Sequence, residues 1–154
     1  ILVVIAVYDL RHTIIPDGLA AAFASLALIS LVISAWLPGS SSFNWPVIID
    51  GLLGAAALAA FFWCLWFLSK GRWMGFGDAK LSVGVGLLLG FWPGITAITL
   101  AFWIGAAVGV GLILASRLSR RFKFVTMKSE IPFAPFIILG TLLVFFFYIY
   151  VLFF

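Results

Sequence analysis

Two aspartates stand out in a chain that has few charged residues. Asp9 lies in the segment VYDLRHTIIPD, and Asp78 follows two glycines in the segment WMGFGDAKL. Only 9% of the residues are charged and 66% are hydrophobic, so a carboxylate beside an apolar run is costly and needs a reason. If the two carboxylates meet, one of them keeps its proton at neutral pH. The charged one can then take a proton from water while the neutral one hydrogen-bonds a peptide carbonyl, which is aspartic-protease chemistry.

The spacing also leaves a structural explanation open for each of these aspartates. Asp9 could form an ion pair with Arg11 or His12, and Asp78 could cap the helix that it begins. Asp9 is predicted at the C-terminal end of a helix, however, where the helix dipole disfavours a negative charge. The spacing alone therefore leaves two hypotheses open: Asp9 and Asp78 form a functional pair, or each has a separate structural role.

The three remaining acidic residues have simpler explanations. Asp17 follows Pro16 and is predicted to be a helix N-cap. Asp50 is predicted in the first turn of a helix, where the dipole favours its charge. Glu130 precedes the segment IPFAPF and is predicted to cap the last helix or to pair with a neighbouring basic residue.

Other hydrolytic chemistry is not supported by the residue types. The chain has one histidine, His12, and one cysteine, Cys64, so neither a two-histidine zinc site nor a disulfide framework is possible, and no metal site is predicted. The segment G-x-S-x-G does not occur in the sequence. Lys80 lies two residues from both Asp78 and Ser82, on a different face of a helix, and is predicted to extend to the membrane interface.

The surrounding sequence predicts an all-α, polytopic transmembrane helix bundle that forms one domain, residues 1–154. The mean hydropathy is +1.31, and apolar runs of about 20 residues recur, the length that a helix needs to cross a bilayer. Because the chain begins with ILVVIAVYDL and not with Met, its first helix is expected to be truncated. The six predicted helices cover residues 1 to about 9–11, 18–37, 47–68, 78 to about 92, 94–116 and 132 to the end.

The fourth helix is predicted to be short. Residues 78–92 make a helix of roughly 22 Å, whereas the hydrocarbon core of a bilayer is about 30 Å thick. Either the bilayer is thinner around this helix, or the segment GRWMGFG enters the membrane, where its non-helical backbone must line a cavity or be buried in protein. Gly71, Gly75 and Gly77 are predicted to supply unusual backbone dihedral angles and close approach there.

The basic residues predict the orientation in the membrane. All nine Lys and Arg residues lie in alternate connections, and residues 38–50 and 92–94 contain none. Under the positive-inside rule, the two segments with the unexplained aspartates, 9–17 and 70–80, lie together on the cytoplasmic side. The net charge of +4 suits contact with anionic lipid headgroups of the bilayer, and no nucleic-acid binding is predicted.

Three segments resemble those of the type IV prepilin peptidases, a family of membrane proteases with a GxGD motif. GFGDAK matches the signature G-x-G-D-x-K, YDLRHTIIPD resembles the segment of the first aspartate, and IPFAPF resembles a Pro-Phe-x-Pro stretch that opens a late helix. The three segments follow the family's order and span residues 8–136. The matching residues are Asp9; Gly75, Gly77, Asp78 and Lys80; and Pro132, Phe133 and Pro135.

The resemblance implies an aspartic endopeptidase with Asp9 and Asp78 as catalytic residues and no cofactor for proteolysis. Its substrates would be prepilins or pseudopilins of type IV pilus and protein-secretion systems. Their short basic leader would be removed on the cytoplasmic side of the inner membrane of a prokaryote. Many members also methylate the new N-terminus with S-adenosylmethionine, through an N-terminal cytoplasmic segment with paired cysteines. Because the sequence contains no such segment, methyltransferase activity is not predicted for these residues.

Two other interpretations are open at this stage. A presenilin-like protease shares Tyr-Asp and G-x-G-D, but it lacks the lysine of GFGDAK and has a Pro-Ala-Leu motif without a clear match here. A proton-coupled transporter or a structural membrane subunit could use Asp9 and Asp78 as relay or pore residues. Substitution by asparagine discriminates these classes, because a protease loses cleavage with folding intact, whereas a structural pair loses stability first.

Overall fold

The computed structural model describes residues 1–36, 43–72, 74–118 and 132–147, which form six α-helices. No strand occurs among these residues, which confirms the predicted all-α bundle. Glu130, most of the basic segment after the fifth helix and the end of the predicted sixth helix lie outside the described residues. The helices are α1 Leu2–His12, α2 Asp17–Trp36, α3 Trp45–Ser69, α4 Phe76–Leu89, α5 Phe91–Leu118 and α6 Ala134–Phe147.

The turn between α1 and α2 is fixed at both of its ends. Thr13 adopts a left-handed conformation with φ 53°, and its N–H donates a hydrogen bond of 2.8 Å to the carbonyl oxygen of Asp9, which ends α1 at His12. The carbonyl oxygen of Pro16 accepts a hydrogen bond of 3.1 Å from the N–H of Ala20, which begins α2. The predicted turn is confirmed, and α1 extends slightly further than predicted.

The junction between α4 and α5 differs from its prediction. α4 ends at Leu89, because Gly90 adopts φ 85°, which a side chain with a Cβ atom disfavours. α5 begins at Phe91, so Trp92 and Pro93 lie in its first turn and not at the end of the fourth helix. Proline is compatible with the first turn of a helix, because a backbone N–H there would have no intrahelical acceptor and its loss costs nothing. The predicted boundary near Trp92 and Pro93 is therefore about three residues too late.

α4 lies at the centre of the bundle and contacts α2, α3, α5 and α6. Its close packing on α3 requires glycine, because a methyl group on Gly86 would lie 2.3 Å from the backbone nitrogen of Ala55. On the α2 side, a methyl group on Gly84 would lie 2.4 Å from the ring of Phe23. With 14 residues α4 is roughly 21 Å long. The predicted short helix is therefore confirmed, and the longer helices α2, α3 and α5 pack against it.

The outer surface of the bundle is apolar. Three helices, Asp17–Trp36, Trp45–Ser69 and Phe91–Ala115, are long and apolar enough to cross a membrane. Large hydrophobic side chains on these helices face outward, among them Leu68 with 74% exposure and Trp103 with 62%. A surface of this kind is expected of helices that contact lipid.

The two aspartate-bearing segments meet at one end of the bundle. Ile15, in the turn before α2, packs against Gly77 in the first turn of α4. Asp17, the first residue of α2, contacts Lys80 of α4. These contacts confirm the prediction that the two segments lie on the same side of the molecule.

Candidate active site

Asp78 lies in the first turn of α4 and is buried, with 6% exposure. Its backbone N–H donates a hydrogen bond of 3.2 Å to the carbonyl oxygen of Gly75, and its carboxylate accepts a hydrogen bond from the backbone N–H of the same glycine. The capping role that the sequence left open is therefore present. Capping does not require burial, because the start of a helix can be capped equally well at a solvated surface.

Asp9 lies near the end of α1 and is also buried, with 5% exposure. Its carboxylate accepts a hydrogen bond from the backbone N–H of Ala134, the first residue of α6. That N–H has no acceptor within α6, and the start of a helix favours a negative charge. The start of α6 therefore offsets the unfavourable position of Asp9 at the end of α1.

One oxygen of Asp9 has no partner in the described part of the chain. This atom, Oδ2, is buried and accepts no hydrogen bond there. Arg11 and His12 are both exposed, and neither forms an ion pair with Asp9. A buried polar atom without a partner costs about 1–3 kcal/mol, so this oxygen is a candidate for contact with water or with a substrate.

Asp9 and Asp78 lie within electrostatic range of each other, although the helices that carry them have no backbone contact. No Cα atom of α1 lies within 8 Å of a Cα atom of α4. Electrostatic repulsion from Asp9 nevertheless acts on Asp78, so each carboxylate lies within range of the other's charge. α2 and α6 each contact both α1 and α4. The relative position of the two carboxylates therefore depends on α2 and α6 as well as on the helices that carry them.

The two glycines of GFGD have different roles from those predicted. Neither has a positive φ, whereas Gly71 does, with φ 75°. A methyl group on Gly77 would lie 2.9 Å from Cβ of Ile15, so close approach requires glycine at this position. A methyl group on Gly75 would meet no atom closer than 3.9 Å. The prediction of unusual dihedral angles is thus wrong for Gly75 and Gly77, and the prediction of close approach holds for Gly77.

Lys80 forms an ion pair that the sequence did not predict. Its Nζ lies 2.5 Å from Oδ1 of Asp17 and 5.1 Å from the centre of the Phe76 ring. It makes no ion pair with Asp78, in agreement with the two-residue spacing. Asp17 is the first residue of α2 and not its N-cap, because the carbonyl oxygen of Pro16 already begins the helix.

The segment before α6 positions the N–H of Ala134. Pro132 precedes the helix and Pro135 lies in its first turn, so the predicted helix start near residue 132 is slightly early. The ring of Phe133 lies 4.8 Å from the ring of Phe102 on α5. Phe133 therefore anchors the start of α6 to the core of the bundle beside Asp9.

Asp50 lies at the opposite end of the bundle and has a different partner from the predicted one. It is beyond the first turn of α3, and its Oδ2 accepts a hydrogen bond of 3.4 Å from the N–H of Phe91 at the start of α5. The dipole that favours its charge is thus the dipole of α5. The prediction assigned the correct physical effect to the wrong helix, because contacts between helices are not visible in sequence.

The aspartates are not part of a metal cluster in the described residues. No group of three or more His, Cys, Asp or Glu side chains that could hold a metal ion occurs there. A cavity of about 300 Å³ opens between α3 and α4, and another of about 350 Å³ lies between α1 and α2. Neither cavity is lined by Asp9 or Asp78, so the candidate site consists of the two carboxylates and the backbone groups that hold them.

Sequence reasoning missed two contributors to this site. The N–H of Ala134 had a signal, because a proline-flanked helix start such as IPFAPF leaves a free N–H in its first turn. The contact of Ile15 with Gly77 had no signal, because the two residues lie far apart along the chain and only the packing of α2 on α4 brings them together.

Comparison with known proteins adds a family match. A family model described as "Type IV leader peptidase family" matches residues 1–110, a range that includes both aspartates. No solved structure matches the chain significantly.

Curated relatives share one name, "Prepilin leader peptidase/N-methyltransferase". The relative from Xanthomonas campestris pv. campestris is 28% identical, over 94% of this chain and 46% of its own length. The relative from Bacillus subtilis is 32% identical, over 93% of this chain and 51% of its own length. The relative from Escherichia coli K12 is 24% identical, over 90% of this chain and 56% of its own length. The chain thus spans about half the length of the curated relatives it matches.

Proposed function

Because the chain belongs to the type IV leader peptidase family, we propose that it carries the aspartic endopeptidase activity of a prepilin peptidase. Asp9 and Asp78 are the catalytic residues, and the reaction removes the short basic leader of a prepilin or pseudopilin. One observation carries the proposal: two buried carboxylates lie within range of each other's charge, and one keeps a buried oxygen without a partner. Structural capping accounts for neither the burial nor the free oxygen.

The proposed reaction uses one charged and one protonated carboxylate. Loss of the second proton would place two negative charges in one buried site, so the pair retains one proton and titrates as a unit. The charged carboxylate takes a proton from water, and the water oxygen attacks the carbonyl carbon of the scissile peptide. The protonated carboxyl group donates its proton to the carbonyl oxygen. Proton transfer to the leaving nitrogen then breaks the C–N bond and yields an amine and a carboxylic acid.

Backbone groups hold the two carboxylates in this scheme. The N–H of Ala134 fixes the orientation of Asp9, and the N–H of Gly75 fixes that of Asp78. Neither donor can move without displacing the start of a helix. The pair is therefore pre-organised, which spares the reaction the cost of ordering its catalytic groups.

The active-site end faces the cytoplasm in this proposal. Arg11, Lys70, Arg72 and Lys80 all lie in the segments at that end, and cytoplasmic ends of membrane helices carry an excess of basic residues. The protein then lies in the inner membrane of a prokaryote with its apolar surface in the bilayer. A prepilin whose leader is still cytoplasmic reaches the aspartates from that side.

S-adenosylmethionine, the methyl donor expected of an N-methyltransferase, would find few polar partners in the cavity between α3 and α4. Its amino-acid and ribose groups need several polar partners. The cavity between α3 and α4 is lined by Lys80 and otherwise by apolar side chains, and Lys80 is already paired with Asp17. No methyl-transfer step is derived from these residues.

The proposal is tested by expressing the full-length protein with a prepilin reporter and following leader removal on a gel. We expect cleavage by the wild type and accumulation of uncleaved precursor with Asp9→Asn or Asp78→Asn at normal membrane levels of the enzyme. Asp50→Asn is the matched control, because it makes the same chemical change at the opposite end of the bundle, and it should cleave. Cleavage by both Asp9→Asn and Asp78→Asn would refute the catalytic roles. A wild type that cleaves none of several prepilins would favour a transporter or structural subunit.

A further inference from the structure

We propose that Asp17 and Lys80 are a positioning pair, which holds the first turn of α4, and with it Asp78, against the turn that follows Asp9. The inference rests on the proposed proteolytic function, because it concerns the geometry of the same two aspartates. Neither Asp17 nor Lys80 touches the reacting atoms in this proposal, and both act through the backbone that they join.

The ammonium group of Lys80 is held by two partners. It lies 2.5 Å from Oδ1 of Asp17 and 5.1 Å from the centre of the Phe76 ring, within the range of a cation–π contact. Phe76 is itself the first residue of α4, and its ring lies 5.2 Å from that of Trp66 on α3. The pair therefore ties the start of α2 to the start of α4, and the lysine makes no ion pair with Asp78.

The turn between α1 and α2 is connected to both aspartates. At one end, the N–H of Thr13 donates to the carbonyl oxygen of Asp9. At the other end, the buried side chain of Ile15 packs against Gly77, the residue before Asp78. The ion pair between Asp17 and Lys80 joins the same two elements, two residues after Ile15 and three residues after Gly77.

This connection matters because α1 and α4 have no direct backbone contact. The carboxylates of Asp9 and Asp78 keep their relative position only through the elements between them. α6 supplies one link through Ala134, and the turn with its ion pair supplies the other. Breaking the pair removes one of the contacts that hold the start of α4 on that side.

The pair is suited to a test because it contributes little to folding. The side chain of Asp17 is 78% exposed and that of Lys80 is 36% exposed, and exposed ion pairs stabilise proteins only slightly. Variants of either residue should therefore fold and reach the membrane. A change in their rate of cleavage then reports on geometry and not on the amount of folded protein.

The experiment measures kcat and KM of the full-length protein on a prepilin for Asp17→Asn, Lys80→Met and the double variant. We expect kcat to fall about five-fold in each single variant with KM within about two-fold of the wild type. The double variant should be no slower than either single one, because each change removes the same interaction. Lys80→Arg should restore most of the rate, and Lys70→Met, a lysine at the same end with no ion pair in the described residues, should match the wild type.

A second measurement does not depend on activity. Amide hydrogen exchange of the peptide 75–80 should become faster in Asp17→Asn and Lys80→Met and stay unchanged in Lys70→Met. Unchanged exchange in Asp17→Asn and Lys80→Met would overturn the inference. Three kinetic results would also overturn it: a wild-type kcat in the single variants, a loss in the double variant that equals the product of the single losses, or a change in KM alone. A wild type that fails to cleave while the exchange result holds would contradict the proposed function and leave the positioning pair standing.

Discussion

The backbone N–H of Ala134 donates a hydrogen bond to the carboxylate of Asp9 and so joins the start of α6 to the end of α1. At the opposite end of the bundle, the N–H of Phe91 does the same for Asp50. In both places a carboxylate of one helix faces the start of another, where free N–H groups and the helix dipole favour its charge. Helix starts thus accommodate Asp9 and Asp50 in a very apolar chain, whereas Asp17 is paired with a base, Lys80.

The two glycines of GFGD should respond differently to alanine. Gly77→Ala places a methyl group 2.9 Å from Cβ of Ile15, so the turn and the start of α4 must separate and carry Asp78 away from Asp9. We expect leader cleavage to fall about 10- to 100-fold. Gly75→Ala is the control, because its methyl group meets no atom closer than 3.9 Å and its N–H is retained. Equal rates for the two variants would contradict the close-approach explanation.

Phe133→Ala should weaken both the fold and the reaction. The change removes the ring that anchors the start of α6 on Phe102, and with it the support for the Ala134 amide. We expect a loss of about 2 kcal/mol in the free energy of unfolding in detergent, together with slower cleavage by the protein that remains folded. Phe145→Ala, on the exposed side of α6, should change neither. If Phe133→Ala lowers stability but leaves the rate per folded molecule intact, the segment does not position Asp9.

Gly90→Ala should destabilise the protein without slowing the folded enzyme. Gly90 has φ 85°, and a methyl group there would lie 2.0 Å from Oδ2 of Asp50, so both strain and a clash oppose the substitution. We expect a loss of about 2 kcal/mol in the free energy of unfolding, measured by thermal denaturation in detergent. The site lies at the far end of the bundle, and cleavage per folded molecule should match the wild type. A slower folded enzyme would show that the two ends are coupled.

The features that follow from composition and local pattern could be predicted from the sequence. The hydropathy predicted an all-α bundle, the basic residues placed Asp9 and Asp78 at the same end, and the interval between helix-breaking segments predicted a short α4. These predictions depend on helix length and charge alternation, which are local properties of a chain that crosses a bilayer.

The contacts between helices could not be predicted from the sequence. Asp17 and Lys80 are 63 residues apart, and nothing in their neighbourhoods distinguishes an ion pair from a helix cap and a solvated lysine. The partner of Asp50 could not be predicted either, because it is the start of α5 and not the start of its own helix. The sequence likewise could not separate Gly75 from Gly77, because only the packing of Ile15 makes one of them indispensable.

The central claim, that Asp9 and Asp78 act as one catalytic unit, is tested most directly by single-turnover cleavage of a prepilin. The full-length protein is compared as wild type, Asp9→Asn, Asp78→Asn and the double variant, at matched amounts of folded enzyme. We expect each single variant to lose at least about 10³-fold in rate and the double variant to lose no more than the slower single one, because residues that act together are not additive. A single variant within about ten-fold of the wild type, or a double variant whose loss is the product of the single losses, would contradict a shared catalytic site.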